Sequence, residues 1–304
     1  MKGVSILIKV SKVDKHFENV HALKAVSMCI RRGSIYGLVG TNGSGKTTIL
    51  KHITGIIRPD SGSITLDGRA IYENTAAKQR ICFVPDDLFF FGNYNLNDMR
   101  RLYAGMYQNW NGQRFDALVN AFGLDRSKKI IRFSKGMQKQ AAFTLAISAM
   151  PDALILDEPV DGLDPIVRRT VWDIIVNDVA EREMTVIISS HNLKEIEGIC
   201  DTVGILSAGE LVLERELDDL KSNIHKVQAA FAKPQPDAYS ALNILSRTTS
   251  GSVDMLIVRN SAEEIEEALN PYNPLILDML PLTLEEIFIY ELGGEKNEYS
   301  SILL

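Results

Sequence analysis

Nine residues narrow the possible folds more than any others in the chain: Gly40-Thr41-Asn42-Gly43-Ser44-Gly45-Lys46-Thr47-Thr48. They fit G-x-x-x-x-G-K-[ST], the phosphate-binding loop pattern. The apolar run Ile35-Tyr36-Gly37-Leu38-Val39 precedes them and reads as a buried parallel strand. Ile49-Leu50-Lys51-His52-Ile53 follows and continues as a helix. Strand, glycine-rich loop and helix together are the context the pattern needs. Glycines let backbone N–H groups turn inward on phosphate oxygens, and the helix N-terminus adds partial positive charge. Asn42, Gly43, Ser44, Gly45 and Thr48 are therefore expected to cradle phosphates. Lys46 would reach the β- and γ-phosphates, and the Thr47 hydroxyl would bind Mg²⁺.

The chain has 304 residues, enough for one large domain and a smaller one. Its net charge of −6 disfavours a nucleic-acid face. Cys29, Cys82 and Cys200 are far apart and form no CxxC, so zinc and thiol redox chemistry are not expected. Each has apolar neighbours, and buried reduced thiols are the reading. No apolar run reaches the roughly 18 residues of a membrane span. If the chain serves a membrane process, another chain is expected to cross the membrane.

Residues 4–13 and 22–31 read as antiparallel strands, with a turn at Lys15-His16-Phe17-Glu18-Asn19 between them. Ser63 to Gly68 alternates as an edge strand, and Ile81 to Pro85 reads as a buried one. Residues 87–150 have helical period and suggest an inserted helical subdomain, with Trp110 packing at an inter-helix turn. Further strands are expected at 153–156 and 185–190, with a helix at 166–179 between them and a closing hairpin around Ala208-Gly209. Alternating strands and helices indicate a parallel α/β core. Beyond about 218 a second unit is expected, with strands at 226–231 and 253–258 and helices at 262–269 and 283–290. It carries no recognisable chemistry.

A second motif, Leu154-Ile155-Leu156-Asp157-Glu158-Pro159, delivers two carboxylates at a strand's C-terminal edge, where parallel sheets bind ligands. Asp157 is placed to hold Mg²⁺ and Glu158 to activate a water as general base. Asp161-Gly162-Leu163-Asp164-Pro165 follows, Ser189-Ser190-His191 ends the next strand, and Phe133-Ser134-Lys135-Gly136-Met137-Gln138 opens a helix upstream.

With these pieces in this order, residues 1 to about 218 resemble the ATP-binding cassette (ABC) ATPases. The fold implied is α/β: a P-loop NTPase ABC core with an antiparallel β subdomain and an inserted α-helical subdomain. A small α+β C-terminal domain, residues 219–304, would serve dimerisation or regulation. The resemblance implies that Phe17 stacks on adenine and that His191 contacts the γ-phosphate. It implies that Ser134 and Gly136 bind the γ-phosphate of a second cassette, and that Asp164 helps form the dimer contact. Two motifs depart from the family pattern. Phe133-Ser134-Lys135-Gly136-Met137 stands for Leu-Ser-Gly-Gly-Gln, and Asp86 stands for a glutamine. A carboxylate is still a hard oxygen ligand, so Asp86 is expected to keep a metal contact. Leu88-Phe89-Phe90-Phe91 reads either as core of the helical subdomain or as lining of a groove for a permease helix. The tail Leu282 to Phe288 looks like bacterial ABC-2 type exporter cassettes, including those of bacitracin-resistance and acetoin-operon systems. The expectation is an ATP- and Mg²⁺-dependent transporter ATPase at the inner face of the cell membrane. Its partners would be permease subunits and a second cassette, with no nucleic acid. A soluble ABC ATPase acting on nucleic acid or ribosomes is the alternative.

Overall fold

The computed structural model describes residues 5–233, 235 and 237–291. Val4, Pro234, Pro236 and the part of the expected 219–304 domain beyond Glu291 lie outside the described residues. The described residues divide into two compact units, 5–191 with 199–214, and 192–198 with 215–291.

The first unit opens with an antiparallel pair, β1 (Ile6–Phe17) and β2 (Val20–Arg31). Pairing continues to Phe17↔Val20, so the connection is the two residues Glu18 and Asn19. The expected five-residue turn is shorter because Lys15, His16 and Phe17 stay paired, with Leu23, His21 and Val20, across a register shift between Lys15 and His16. Next come β3 (Ile35–Val39), α1 (Lys46–Ile53), β4 (Ser61–Leu66) and β5 (Arg69–Ala70). The sheet order β2-β1-β4-β5 leaves β4 covered by the two residues of β5 instead of standing at the edge. Alternate residues of β1 and β2 point inward to the core. Cys29, between buried Met28 and Ile30, therefore faces outward and is exposed, against the expectation of three buried thiols. Cys82 and Cys200 are buried, and burial pushes the Cys82 thiol up to about 12.

After α2 (Thr75–Lys78) and β6 (Ile81–Val84) come three helices: α3 (Leu96–Met106), α4 (Gly112–Ala121) and α5 (Lys135–Ser148). The Asn95 side chain accepts from the Asp98 N–H while Asp98 accepts from the Asn95 N–H, a reciprocal cap that starts α3. These helices enclose their own core of Leu96, Phe115, Val119, Ile130, Phe133 and Leu145. Trp110 packs against it, 5.5 Å from the Phe115 ring. The phenylalanine run splits: Phe90 packs on this core, whereas Phe89 is 82% exposed and Phe91 47%.

The chain returns through β7 (Ala153–Asp157), α6 (Pro165–Arg182) and β8 (Thr185–Ser190). Asp164 caps α6, accepting from the N–H groups of Ile166 and Val167, and Pro165 fits the first turn, where no N–H is needed. Buried Asp178 of α6 pairs with Arg114 of α4 and with Arg182, tying the helical subdomain to the core. A short helix α7 (Leu193–Ile196) belongs to the second unit, and β9 (Thr202–Ser207) and β10 (Glu210–Glu216) close the central sheet. Its order is β10-β9-β3-β8-β7-β6, with β9, β3, β8, β7 and β6 parallel. Every residue of β3, β7 and β8 is buried, as strands at the centre of a parallel sheet covered on both faces are. Val39 pairs with Ser190 and Asp157 with Ser189, so three strands end side by side.

The second unit continues with α8 (Leu217–Asn223), β11 (His225–Ala230), β12 (Ile244–Ser250), β13 (Val253–Val258), α9 (Ala262–Leu269), β14 (Ile276–Leu280) and α10 (Leu284–Glu291). Its antiparallel sheet runs β12-β13-β11-β14. Ile265 and Leu269 of α9 pack with Val227, Leu256 and Val258 of that sheet. Glu197, beside α7, accepts from the Leu284 N–H at the start of α10. Among the described residues no helix is long and apolar enough to cross a membrane.

Candidate nucleotide-hydrolysing site

The loop between β3 and α1 is shaped by two glycines. Gly45 has φ +107°, and a Cβ there would stand 2.9 Å from the Ala22 carbonyl oxygen. A Cβ on Gly40 would stand 2.3 Å from the Leu206 carbonyl oxygen, so only glycine lets the loop lie this close to β9. The Lys46 side chain is only 6% exposed, and its ammonium donates to the Gly40 carbonyl at 2.6 Å. The Ser44 hydroxyl is buried and has no hydrogen-bond partner in the fold. Buried polar atoms normally have partners. An orphaned hydroxyl in a glycine-rich loop at a helix N-terminus fits a loop built around phosphate oxygens.

The carboxylates arrive from the neighbouring strand ends. Thr47 Oγ1 donates to Asp157 Oδ2 at 2.6 Å, and Ser189 Oγ donates to Asp157 Oδ1 at 2.5 Å. A hydroxyl and a carboxylate oxygen so placed are a donor set for a hard cation. Among the described residues no group of three or more His, Cys, Asp or Glu could hold a metal alone. The pair therefore suits Mg²⁺ completed by phosphate oxygens and water. Glu158 follows with its side chain 12% exposed, Oε1 3.4 Å from the Lys46 ammonium and Oε2 2.9 Å from His191 Nδ1. His191 is half exposed, so its ring can meet a ligand from solvent.

An open cavity of about 500 Å³ is lined by Asn42, Gly43, Gly45, Lys46, Thr47 and Thr48 together with Asp86 and Glu158. Val20, His21 and Ala22 of β2 line it too. Phe17 does not line it; the ring is 43% exposed, with the Lys15 ammonium 5.4 Å from its centroid. Nearby, the His21 hydrogen bond holds the Asp14 carboxyl below its usual range, and the Lys15 hydrogen bond does the same for Asp60. Ser134 and Gly136 also lie outside the cavity. Ser134 caps α5, accepting from the Met137 N–H, and a hydroxyl used this way still has its own proton to donate. The departures around it are tolerated: Phe133 is buried in the helical core and Lys135 is exposed. Asp86 lines the cavity, but its carboxylate meets the Lys139 ammonium at 3.0 Å.

Sequence reasoning missed two residues here. Ser189 braces the Asp157 carboxylate and the Glu158 backbone, donating to Asp157 and accepting from the Glu158 N–H. Lys139 joins Asp86 to the Glu158 carbonyl. The hydroxyl ending the strand beside the acidic one was the only signal available for Ser189.

A family model described as "ABC transporter" matches residues 23–161. The ABC transporter ATP-binding protein YtrB of Bacillus subtilis is 34% identical over 95% of this chain and 99% of its own length. The chain belongs to the ABC transporter ATP-binding proteins. The bacitracin transport ATP-binding protein BcrA of Bacillus licheniformis is 32% identical over 73% of this chain and 74% of its own. A solved ATP-binding subunit of an ABC transporter superposes with a TM-score of 0.67 at 27% identity, covering 71% of this chain and 92% of that one. As a member of this family the chain is an ATP hydrolase with the cassette fold.

Proposed function

We propose that this chain powers a bacterial ABC-2 type exporter. It would pair with a second cassette and with separate permease subunits, peripheral to the inner face of the cell membrane. The observation that carries the reading is Lys46 and Glu158 paired in one loop-lined cavity, with His191 bonded to Glu158 and Asp157 bonded to Thr47. BcrA, a bacitracin transport protein by name, supports export of peptides, drugs or similar compounds.

In this reading the loop N–H groups and Lys46 bind the phosphates of ATP and neutralise charge that builds on them. Thr47 and Asp157 would hold Mg²⁺, which supplies further charge neutralisation when bound. Glu158 orients the attacking water and takes its proton, and His191 steadies Glu158 while presenting its exposed ring to the γ-phosphate. Ser134 and Gly136, at the start of α5, would close on the ATP of a second cassette. Asp164 spends its carboxylate on capping α6, so its share in the dimer contact would be to hold that loop.

Phe17 pairs with Val20, which lines the cavity, and would stack on the base. Stacking reads a π-face, so GTP is accepted too. Phe17→Ala weakens nucleotide binding by roughly 1–3 kcal/mol on the aromatic–base stacking scale. Equilibrium binding checks this, and an unchanged affinity assigns the base to Val20 and His21 instead.

Phe89 and Phe91 form an exposed aromatic pair, ring centroids 5.9 Å apart, backed by Tyr94. Such a pair suits a hydrophobic anchor for a permease's cytoplasmic helix. Changing both to Ser is expected to abolish co-purification with the permease from membranes while basal ATPase stays intact, because neither ring lines the cavity. Retained co-purification removes these rings from the interface. A native protein found on ribosomes or DNA overturns the transporter reading.

A further inference from the structure

Glu158 has φ +48°, a left-handed backbone that costs a non-glycine residue about 1 kcal/mol. That conformation is pinned from both sides. Its N–H donates to Ser189 Oγ at 3.0 Å and to the Ser189 carbonyl at 3.3 Å. Its carbonyl accepts from the Lys139 ammonium at 2.8 Å. Lys139 lies on α5, the helix that Ser134 caps. Its side chain is 13% exposed, so its charge is poorly solvated, and the Asp86 carboxylate at 3.0 Å supplies the counter-charge. A carbonyl dipole alone is a weak partner for a half-desolvated ammonium. The Asp86 pair is what holds Lys139 in reach of Glu158.

We propose that Lys139 is a positioning residue for catalysis, a strut that carries movement of α5 to the backbone of Glu158 within the same chain, with Asp86 as its charge partner and not a Mg²⁺ ligand. When the Ser134 end of α5 engages a nucleotide, the strut shifts the peptide that aims the Glu158 carboxylate at its water. The aspartate in place of the family's glutamine then makes sense, because a carboxylate holds a poorly solvated ammonium more strongly than an amide oxygen does. The inference rests on Glu158 being the general base.

The test uses the full chain and measures kcat, ATP affinity, Mg²⁺ half-saturation and melting temperature. Lys139→Ala is expected to lower kcat about 10- to 100-fold, the penalty of misplacing a reacting group by about 1 Å. ATP affinity, Mg²⁺ half-saturation and melting temperature stay near wild type. Lys139→Arg, which can reach both partners, recovers most of kcat. Asp86→Asn lowers kcat in the same direction without moving the Mg²⁺ half-saturation. In a Glu158→Gln background, Lys139→Ala has no further effect on the residual rate. A wild-type kcat for Lys139→Ala overturns the strut, as does a Mg²⁺ half-saturation raised several-fold by Asp86→Asn alone. If Glu158→Gln turns over at the wild-type rate, the base assignment itself has failed; a slow Glu158→Gln beside a fast Lys139→Ala sinks only the strut.

Discussion

Glu158→Gln is expected to keep ATP and lose turnover by about 10²–10⁴-fold, the contribution of a positioned general base. The amide has the shape of the carboxylate and can still accept from His191, so the cavity keeps its form. What it loses is basicity and the ion pair with Lys46. That loss frees Lys46 for phosphate, so affinity for ATP holds or rises. With hydrolysis stopped, the ATP that bridges two cassettes persists, and the variant accumulates as an ATP-bound dimer. Phosphate release and equilibrium nucleotide binding measure the two halves of this expectation. A variant hydrolysing at the wild-type rate removes Glu158 from the chemistry.

Lys46→Ala should do the reverse and strike binding first. The ammonium is preset by the Gly40 and Thr41 carbonyls, at 2.6 and 3.3 Å, so little side-chain entropy remains to be lost when phosphate arrives. Removing one partner of a buried, hydrogen-bonded charge pair costs roughly 2–5 kcal/mol. ATP affinity is expected to fall by that amount, and the Glu158 carboxylate is left beside the phosphates without its cation. Titration with a non-hydrolysable ATP analogue checks it. Wild-type affinity would mean that the backbone N–H groups alone hold the nucleotide.

The parts of the site that could be read in the sequence are those whose chemistry is local. Strand, loop and helix around Gly40–Thr48 are contiguous, and Asp157-Glu158 end an apolar run that can only be a buried strand. Lys139 is invisible in the sequence because a lysine in the polar opening stretch of α5, Lys135 to Gln140, reads as a solvated face. Its partners, Asp86 and Glu158, lie 53 and 19 residues away. The exposure of Cys29 turns on strand alternation between two buried neighbours, which apolar context alone does not reveal. In the second unit β12 was missed because Ser246-Arg247-Thr248-Thr249-Ser250 offers no apolar alternation. Pairing to β13 makes it a strand, with Arg247 held by Asp254 at 2.9 Å. β14 exposes Ile276 and Asp278, and Ile-Leu-Asp-Met-Leu shows no apolar period either. Phe89-Phe90-Phe91 could be read as core or as interface, and the backbone divides the run between the two.

The assigned function requires this cavity to hydrolyse ATP with help from Mg²⁺. The direct measurement is phosphate release by the purified wild-type chain across an ATP titration, with Mg²⁺ present and after chelation. Saturable release that stops on chelation, and that Thr47→Val also stops by removing the hydroxyl bonded to Asp157, is the expected result. No release at saturating Mg²⁺ and ATP, or release that continues undiminished after chelation or in Thr47→Val, would contradict it.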